Sequence, residues 1–202
     1  MVKKVRTHEL RPIVAVSNNK GGAGKTSTVL NLASAITRRK EGYRVLVIDC
    51  DPQHNLSQLL KWQDQFELDG NPTIFNALCN QQGLPVYRAQ GGLYFTPASM
   101  KLNGIDVFLS QLPNPNKAIQ ELLDRPIDDR TTTMLGDTIG EEKSVLAPTL
   151  ADSFDFVFLD TQPAMSRMTY NALYAADGLI ITTELEETSI SGMVNVAVVA
   201  GR

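Results

Sequence analysis

A glycine-rich loop near the start of the chain, set between an apolar run and an amphipathic segment, dictates much of the architecture. Residues 12–17 (PIVAVS) predict a buried strand, and residues 24–40 place apolar side chains at the spacing of one helix face. The loop between them, residues 17–27, has the sequence SNNKGGAGKTS. A strand, such a loop and a helix in succession predict a phosphate-binding loop, because free backbone amides at a helix N-terminus attract anions.

The residue types in this loop suit that chemistry. Gly21, Gly22 and Gly24 let backbone N–H groups approach phosphate oxygens without interference from a Cβ atom. Lys25 is expected to reach the β- and γ-phosphates, and the Thr26 hydroxyl to ligate Mg²⁺. The nucleotide-binding residues predicted for the loop are Asn19, Lys20, Gly21, Gly22, Ala23, Gly24, Lys25, Thr26 and Ser27.

Two positions depart from the usual pattern, G-x-x-x-x-G-K-[ST]. Asn19 stands where the first glycine is expected, and asparagine is predicted to replace it because it tolerates the left-handed backbone region. Lys20 adds a cation to a site where Lys25, Mg²⁺ and backbone amides already neutralise one nucleotide. Its side chain is expected either to lie in solvent or to reach a nucleotide held by another subunit. In the second case it would stabilise the transition state as an arginine finger does.

Four further apolar runs predict strands at residues 43–49, 92–97, 154–160 and 178–183. Helical patterns lie between the runs, near residues 71–80, 101–112, 116–124, 144–151, 165–176 and 188–200. This alternation predicts βαβ units and therefore an α/β fold: a doubly wound, mostly parallel sheet with helices on both faces. Functional loops should lie at the carboxyl ends of its strands. The polar segment 125–144 is interpreted as a surface excursion.

Aspartates end two of the predicted strands. Asp49 and Asp51 close the second run before Pro52, and in a continuing strand both would face the same side. Such a pair can hold Mg²⁺ through water and orient an attacking water, but the same residues also suit an Asp-Pro turn in which Asp49 is a cap. Asp160 ends the fourth run in a Walker B pattern and would bind the Mg²⁺ shell. The predicted metal ligands are Thr26, Asp49 and Asp160.

Composition narrows the remaining classes. The 202 residues suit one domain, and the net charge of −3 argues against a wholly basic nucleic-acid coat protein without excluding a local basic patch. Cys50 and Cys79 supply neither a disulfide framework nor a CxxC metal site, which suits a reducing cytoplasm. No apolar stretch approaches the roughly 20 residues of a membrane span.

Taken together, these segments resemble the ParA/MinD family of SIMIBI-class ATPases. KGGAGKTS, residues 20–27, is similar to the family's deviant Walker A motif, and DPQ followed by Asn55 is similar to the DxDPQ-x-N segment of its ParA branch. The resemblance implies a P-loop NTPase fold with ATP and Mg²⁺ as cofactors. It also implies that Lys20 crosses a dimer interface to the partner's ATP and that Asp51 is needed for hydrolysis. The implied catalytic residues are Lys20, Lys25 and Asp51.

Several positions differ from the family pattern. His54 stands where glycine is frequent and is expected to have no catalytic role, while Gln162 replaces one of two adjacent prolines. The roles of Gln162 and its neighbour Thr161 stay open between the γ-phosphate region and a partner subunit. Family members usually continue through a further strand and C-terminal helices. The expectation is therefore a single P-loop ATPase domain over residues 1–202 that lacks them, and adenine contacts are left unassigned.

The function that the resemblance implies is a ParA-type ATPase of the cytoplasm, nucleoid-associated if it binds DNA. ATP binding would drive homodimerisation and nonspecific DNA binding, and slow hydrolysis, stimulated by a partner protein, would reset the monomer for DNA or plasmid partition or cargo positioning. The alternatives are a small-molecule phosphotransferase or ligase on the same fold, a MinD-like membrane-associated ATPase, which is not favoured, and a non-enzymatic nucleotide-binding regulator. Candidate DNA-facing cations are Lys3, Lys4, Arg6, Arg11, Arg38, Arg39 and Lys40, although the last three also suit a helix C-terminus.

Overall fold

The computed structural model describes residues 12–39, 42–80, 83–126, 149–183, 194, 196 and 197. The strands are β1 (Ile13–Ser17), β2 (Val45–Cys50), β3 (Tyr87–Arg88), β4 (Tyr94–Thr96), β5 (Phe156–Thr161) and β6 (Gly178–Ile181). The helices are α1 (Lys25–Thr37), α2 (Asn55–Leu59), α3 (Asp64–Leu68), α4 (Ile74–Asn80), α5 (Ile105–Ser110), α6 (Ala118–Leu123) and α7 (Arg167–Ala175). Single 3₁₀ turns lie at Met100–Leu102 and Ala151–Ser153.

The described strands form one sheet in the order β3-β4-β2-β5-β1-β6. All neighbours pair in parallel except β3, which runs antiparallel to β4 at one edge. Successive side chains along a strand point to opposite faces of the sheet and pack into two different cores. Ile13 and Ala15 of β1 pack with α4 to α7 on one face, whereas Val16 packs with α1 on the other face. Helices therefore cover both faces, and the predicted doubly wound, mostly parallel α/β fold is confirmed.

The five predicted strands are present, with bounds that differ by one or two residues at most ends. β6 lies at the edge of the described sheet, so its four residues are only half-buried although the apolar run predicts burial on both faces. The elements missed by the prediction are β3, α2 and α3, which are short. Three predicted segments lie partly outside the described residues: the surface excursion 125–144 from residue 127 onward, the helix near 144–151 up to residue 148, and the helix near 188–200 apart from residues 194, 196 and 197. Lys3, Lys4, Arg6, Arg11 and Lys40 also lie outside the described residues.

Candidate functional site

The predicted site residues meet at the carboxyl ends of three adjacent strands. β5 lies between β1 and β2, and in its register Asp160 is opposite both Val16 of β1 and Asp49 of β2. The phosphate loop follows β1 directly, and the turn that carries Asp51 follows β2. The sheet order thus brings together segments that lie more than 100 residues apart in the chain.

The loop backbone leaves room for an anion. Gly22 has a φ of 79° and Gly24, the N-cap of α1, a φ of 77°, so both positions favour glycine. A Cβ atom added at Gly21, Gly22 or Gly24 would meet nothing within 4 Å. The explanation predicted for Asn19 is wrong. Among the described residues, the non-glycine residues with positive φ are His54 and Lys61. Asn19 is therefore not in the left-handed region, and its backbone conformation does not require glycine.

Side chains from within the loop fix its shape. Lys25 is 7% exposed, and its Nζ donates to the Lys20 carbonyl oxygen at 3.0 Å. Burial lowers the pKa of this ammonium group, and the nearby carboxylates of Asp160 and Asp51 oppose that shift. Asn18, which the sequence prediction did not single out, is fully buried. Its Oδ1 accepts from the Lys20 N–H at 3.0 Å, and its Nδ2 donates to the Thr182 carbonyl oxygen at 2.5 Å.

Asp49 is buried and held by the protein on both carboxylate oxygens. Its Oδ2 accepts from the Ser57 N–H at 2.9 Å and from the Ser57 hydroxyl at 2.7 Å, and its Oδ1 accepts from the Asp51 N–H at 3.1 Å. Burial raises the pKa of Asp49 to about 6, although the Ser57 hydrogen bonds oppose the shift. These contacts match the interpretation of Asp49 as a cap, because Ser57 lies in the first turn of α2. Its role as a magnesium ligand stays a prediction.

Asp160 is equally buried but less completely paired. Its Oδ1 has no hydrogen-bond partner, and the Thr26 hydroxyl hydrogen-bonds the same carboxyl group. Burial, with a smaller contribution from the Asp49 charge, raises the pKa of Asp160 to about 7. A buried acceptor oxygen without a partner is costly, so this position suits a cation or a cation-bound water.

Asp51 lies beyond the end of β2, in the turn rather than in a continuing strand. It is partly exposed, its Oδ1 accepts from the Gln53 N–H at 2.9 Å, and its carbonyl oxygen accepts from the His54 N–H at 2.8 Å. His54, 5% exposed, is a structural residue: its Nε2 lies 3.2 Å from Asp64 Oδ1 and its Nδ1 lies 3.1 Å from the Pro52 carbonyl oxygen. The following residues therefore hold the turn that carries Asp51, and the Asp51 charge acts on the pKa of Lys25.

The other candidate residues have structural partners. The Thr161 hydroxyl donates to the Val16 carbonyl oxygen at 2.9 Å, and the Gln162 amide hydrogen-bonds the Ser166 hydroxyl at the start of α7.

Arg38 is exposed at the end of α1, and its Nε donates to the Ser34 carbonyl oxygen, as a cation at a helix C-terminus does. Ala23 is buried, whereas Ser27 is exposed, and Cys50 and Cys79 are free thiols.

The site fits a magnesium nucleotide. Open space over the glycines, the buried Lys25 ammonium and the pairing of Thr26 with the incompletely satisfied Asp160 are what a phosphate chain with its metal requires. Within the described ranges, no group of three or more His, Cys, Asp or Glu side chains is arranged to hold a metal by itself.

Comparison with known proteins identifies the family. The model of the AAA domain family matches residues 11–139 and 128–199. The chain belongs to this family, in its ParA/MinD-like group. Among relatives of this AAA domain, the chromosome-partitioning ATPase Soj of Thermus thermophilus is 31% identical over 180 residues, covering 89% of this chain and 57% of Soj. The chromosome partitioning protein ParA of Myxococcus xanthus is 29% identical over 184 residues, covering 90% of this chain and 55% of that protein.

Solved structures show the same fold. Cobyrinic acid a,c-diamide synthase of Mycobacterium smegmatis, with bound ADP and magnesium, is 25% identical, has a TM-score of 0.71 and covers 95% of this AAA domain and 67% of its own chain. The ATP complex of Cyanothece McdA is 19% identical and has a TM-score of 0.74. The match covers 93% of this chain and 62% of the McdA chain. The chain spans 44% to 59% of the length of the first curated relatives it matches. In the part of the chain that the structure describes, no helix has the length and apolarity that crossing a bilayer requires.

Proposed function

We propose that this ParA/MinD-like AAA domain is a nucleotide switch that binds Mg-ATP, dimerises and hydrolyses the nucleotide slowly. The observation that carries the proposal is the meeting of Lys25, Thr26 and Asp160 beside an open glycine loop, with one buried Asp160 oxygen lacking a partner. The buried Lys25 ammonium group and the exposed backbone N–H groups of the loop can bind phosphate oxygens, and the buried Asp160 carboxylate can bind the metal that accompanies them.

Each residue has one proposed task. Lys25 and the amides of the loop would bind the phosphate oxygens, and Thr26 and Asp160 would hold Mg²⁺, which when bound would neutralise charge on the phosphates. Asp51, partly exposed in the turn after β2, would orient the attacking water. Asp49 would act mainly by fixing that turn, because its Oδ1 accepts the Asp51 N–H.

The dimer proposal concerns Lys20. Its N–H is bound by Asn18 and its carbonyl oxygen by Lys25, so the loop fixes where the Lys20 side chain leaves the backbone. We propose that this side chain reaches the nucleotide of a second subunit. The ATP-bound dimer would then bind DNA nonspecifically in the cytoplasm, and a partner protein would stimulate hydrolysis. Two relatives support this proposal, since ParA of Myxococcus xanthus and Soj of Thermus thermophilus are chromosome-partitioning proteins.

The test compares two lysines of the same loop. Lys20→Ala is expected to keep ATP affinity within a few-fold and to lose ATP-dependent dimerisation in light scattering. Lys25→Ala is expected to lose at least about 100-fold in ATP affinity, since it removes the charge nearest the phosphates. Lys101→Ala, at an exposed lysine paired with Glu67, serves as the control and should behave as the wild type. A dimer that forms unaltered in Lys20→Ala, or a wild type that stays monomeric with ATP, contradicts the switch.

DNA binding has its own assay. A mobility shift of nonspecific duplex DNA is expected with Mg-ATP and not with Mg-ADP or without nucleotide. The charge-removing pair Arg38→Gln and Arg39→Gln tests whether the end of α1 contributes to the shift. Equal shifts under all three nucleotide conditions would contradict a nucleotide-controlled interaction.

A second candidate is a ligase or phosphotransferase, favoured by the likeness to cobyrinic acid a,c-diamide synthase at 25% identity. The two candidates differ in their need for an acceptor. Phosphate release from Mg-ATP by the purified protein alone supports the switch, whereas release that requires an added small carboxylate supports the ligase.

A further inference from the structure

Asn18 directly follows β1 and is not among the residues proposed to bind the nucleotide. It is fully buried. In the parallel register of β1 and β6, Ser17 lies opposite Ile181, so Asn18 and Thr182 form the next pair along the two strands. The Asn18 Nδ2 donates to the Thr182 carbonyl oxygen, which continues the pairing of the strands through a side chain. The phosphate loop is thereby tied to the carboxyl end of β6.

The same side chain holds the backbone of Lys20. The Asn18 Oδ1 accepts from the Lys20 N–H at 3.0 Å, two residues along the chain, as in an Asx turn. The Lys20 carbonyl oxygen accepts from Lys25 Nζ, also at 3.0 Å. The Lys20 backbone is therefore held on both sides, and one of the two contacts leads through Asn18 to Thr182, 164 positions away in sequence from Asn18.

The two partners of Asn18 explain why the residue is an asparagine. The Lys20 N–H is a donor and the Thr182 carbonyl oxygen is an acceptor, and a carboxamide supplies one acceptor and one donor at the same distance from the backbone. An aspartate would keep the first bond and place an oxygen against the Thr182 carbonyl oxygen, whereas an alanine would leave both groups without this partner. Because a buried amide without its hydrogen bonds is costly, we expect both bonds to persist in the folded chain, with or without a nucleotide.

Lys25 has supports that do not depend on Asn18. It begins α1, and the buried side chains of this helix pack against the sheet. The end of β1 is also held from β5, because the Thr161 hydroxyl donates to a β1 carbonyl oxygen at 2.9 Å. Loss of the Asn18 bonds should consequently displace Lys20 more than Lys25.

From these contacts we infer that Asn18 is a positioning residue for Lys20. It ties the backbone of this lysine to the end of β6, so that Lys20 occupies the place from which it reaches a second subunit before a nucleotide binds. The inference rests on the proposed function, because the position of Lys20 affects dimerisation only if this lysine acts across the dimer.

The test separates nucleotide binding from dimerisation in the full chain. The Kd for Mg-ATPγS is measured with a fluorescent derivative at a protein concentration at which the wild type is monomeric. The Kd of the dimer is measured by analytical ultracentrifugation with saturating Mg-ATPγS. In Asn18→Ala and Asn18→Asp, we expect the nucleotide Kd to stay within about five-fold of the wild-type value. We expect the dimer Kd to rise at least about ten-fold, because each dimer would contain two displaced lysines.

Asn171→Ala is the matched control. Asn171 of α7 is also fully buried, and its Nδ2 donates to the carbonyl oxygens of Pro115 and Arg167, outside the phosphate loop. This variant should lose stability to a similar degree and keep the dimer Kd of the wild type.

Three outcomes overturn the inference while the wild type dimerises. The Asn18 variants could dimerise as the wild type does, their nucleotide and dimer Kd values could change by the same factor, or Asn171→Ala could lose dimerisation to the same extent. A wild type that stays monomeric with Mg-ATPγS contradicts the proposed function itself, and the inference falls with it.

A measurement on the wild type does not depend on how the variants fold. Amide hydrogen exchange of the nucleotide-free full chain, followed by NMR, should show the Lys20 N–H exchanging at least about ten-fold more slowly than in an unstructured peptide, because a buried acceptor holds it. An unprotected Lys20 N–H overturns the inference, whether or not the protein dimerises.

Discussion

At the scale of single residues, the buried aspartates Asp49 and Asp160 have pKa values raised to about 6 and about 7, chiefly by burial. The folded chain therefore binds more protons than the unfolded chain between roughly pH 4 and pH 7. The stability that these groups contribute is fully present below their unfolded pKa and is lost as the pH rises through their folded pKa. In the absence of nucleotide and metal, the protein should consequently become less stable from pH 4 to pH 7.

Asp160→Asn should flatten this dependence, since an amide has the shape of the protonated acid and cannot ionise. We expect its free energy of unfolding at pH 8, in EDTA, to exceed that of the wild type by on the order of 1–3 kcal/mol, and to approach the wild-type value at pH 4. Urea unfolding at the two pH values measures both differences. Asp69→Asn, at an exposed aspartate, is the control, and an unchanged pH slope in Asp160→Asn would contradict the assignment.

The glycine loop between a strand and a helix was predictable from the sequence, because glycine and lysine at that spacing after a strand are typical of a phosphate-binding loop. The positive φ values of Gly22 and Gly24 agree with glycine at those positions, and the roles of the loop residues toward a nucleotide stay predictions. The role of Asn18 was not predictable. It depends on the Thr182 carbonyl oxygen, which lies 164 residues away in sequence and adjacent only in the folded sheet. The sequence pattern allows Asp49 to act as a cap, but it does not indicate that Ser57 is the partner.

At the scale of elements, a buried hydroxyl, that of Ser57, is one of the contacts that attach the five-residue helix α2 to the sheet. Ser57 donates to Asp49 of β2 and accepts from the Ala98 N–H, at 3.0 Å, in the turn after β4. So short a helix has little stability of its own and depends on such contacts. This is also why periodicity failed to predict α2 and α3: each is shorter than two turns, and their tertiary contacts decide their conformation.

Ser57→Ala should therefore lower the free energy of unfolding by about 1–3 kcal/mol, because it leaves the Ala98 N–H without its acceptor and removes a charge-assisted bond to Asp49. Chemical denaturation at pH 7 measures the loss. Ser110→Ala, which removes a hydroxyl bonded to the Val107 carbonyl oxygen on the exposed surface, should cost much less. Equal losses in the two variants would show that the Ser57 contacts do not anchor α2.

At the scale of the whole molecule, a ligand that binds only the folded chain raises the unfolding temperature. Mg-ATP at 100 times its Kd should add about 2.7 kcal/mol, which for a domain of this size is a shift of about 5–11 °C. Differential scanning fluorimetry with Mg-ATP, with ATP in EDTA and with AMP measures the shift. Lys25→Ala should abolish it, and a full shift in that variant would contradict the binding site proposed for the phosphates.

The fold class itself was the most predictable feature, because alternating strands and helices permit few arrangements and the loops must meet at one edge of the sheet. The position of β3 was not predictable from two residues whose antiparallel pairing is set by β4. The aromatic cluster beside it was not predictable either, because Trp62, Phe66, Tyr87 and Phe95 come from different elements and meet only in the folded chain.

The central place of β5 has a consequence for how the protein is made. The Thr161 hydroxyl donates to the Val16 carbonyl oxygen near the end of β1, 145 residues earlier in the sequence, and Asp160 lies beside a loop whose glycines are translated some 140 residues earlier. A nascent chain on the ribosome therefore carries the loop long before it has the strand that supports it. The proposed ability to retain a nucleotide should therefore appear abruptly, once β5 has emerged and inserted between β1 and β2.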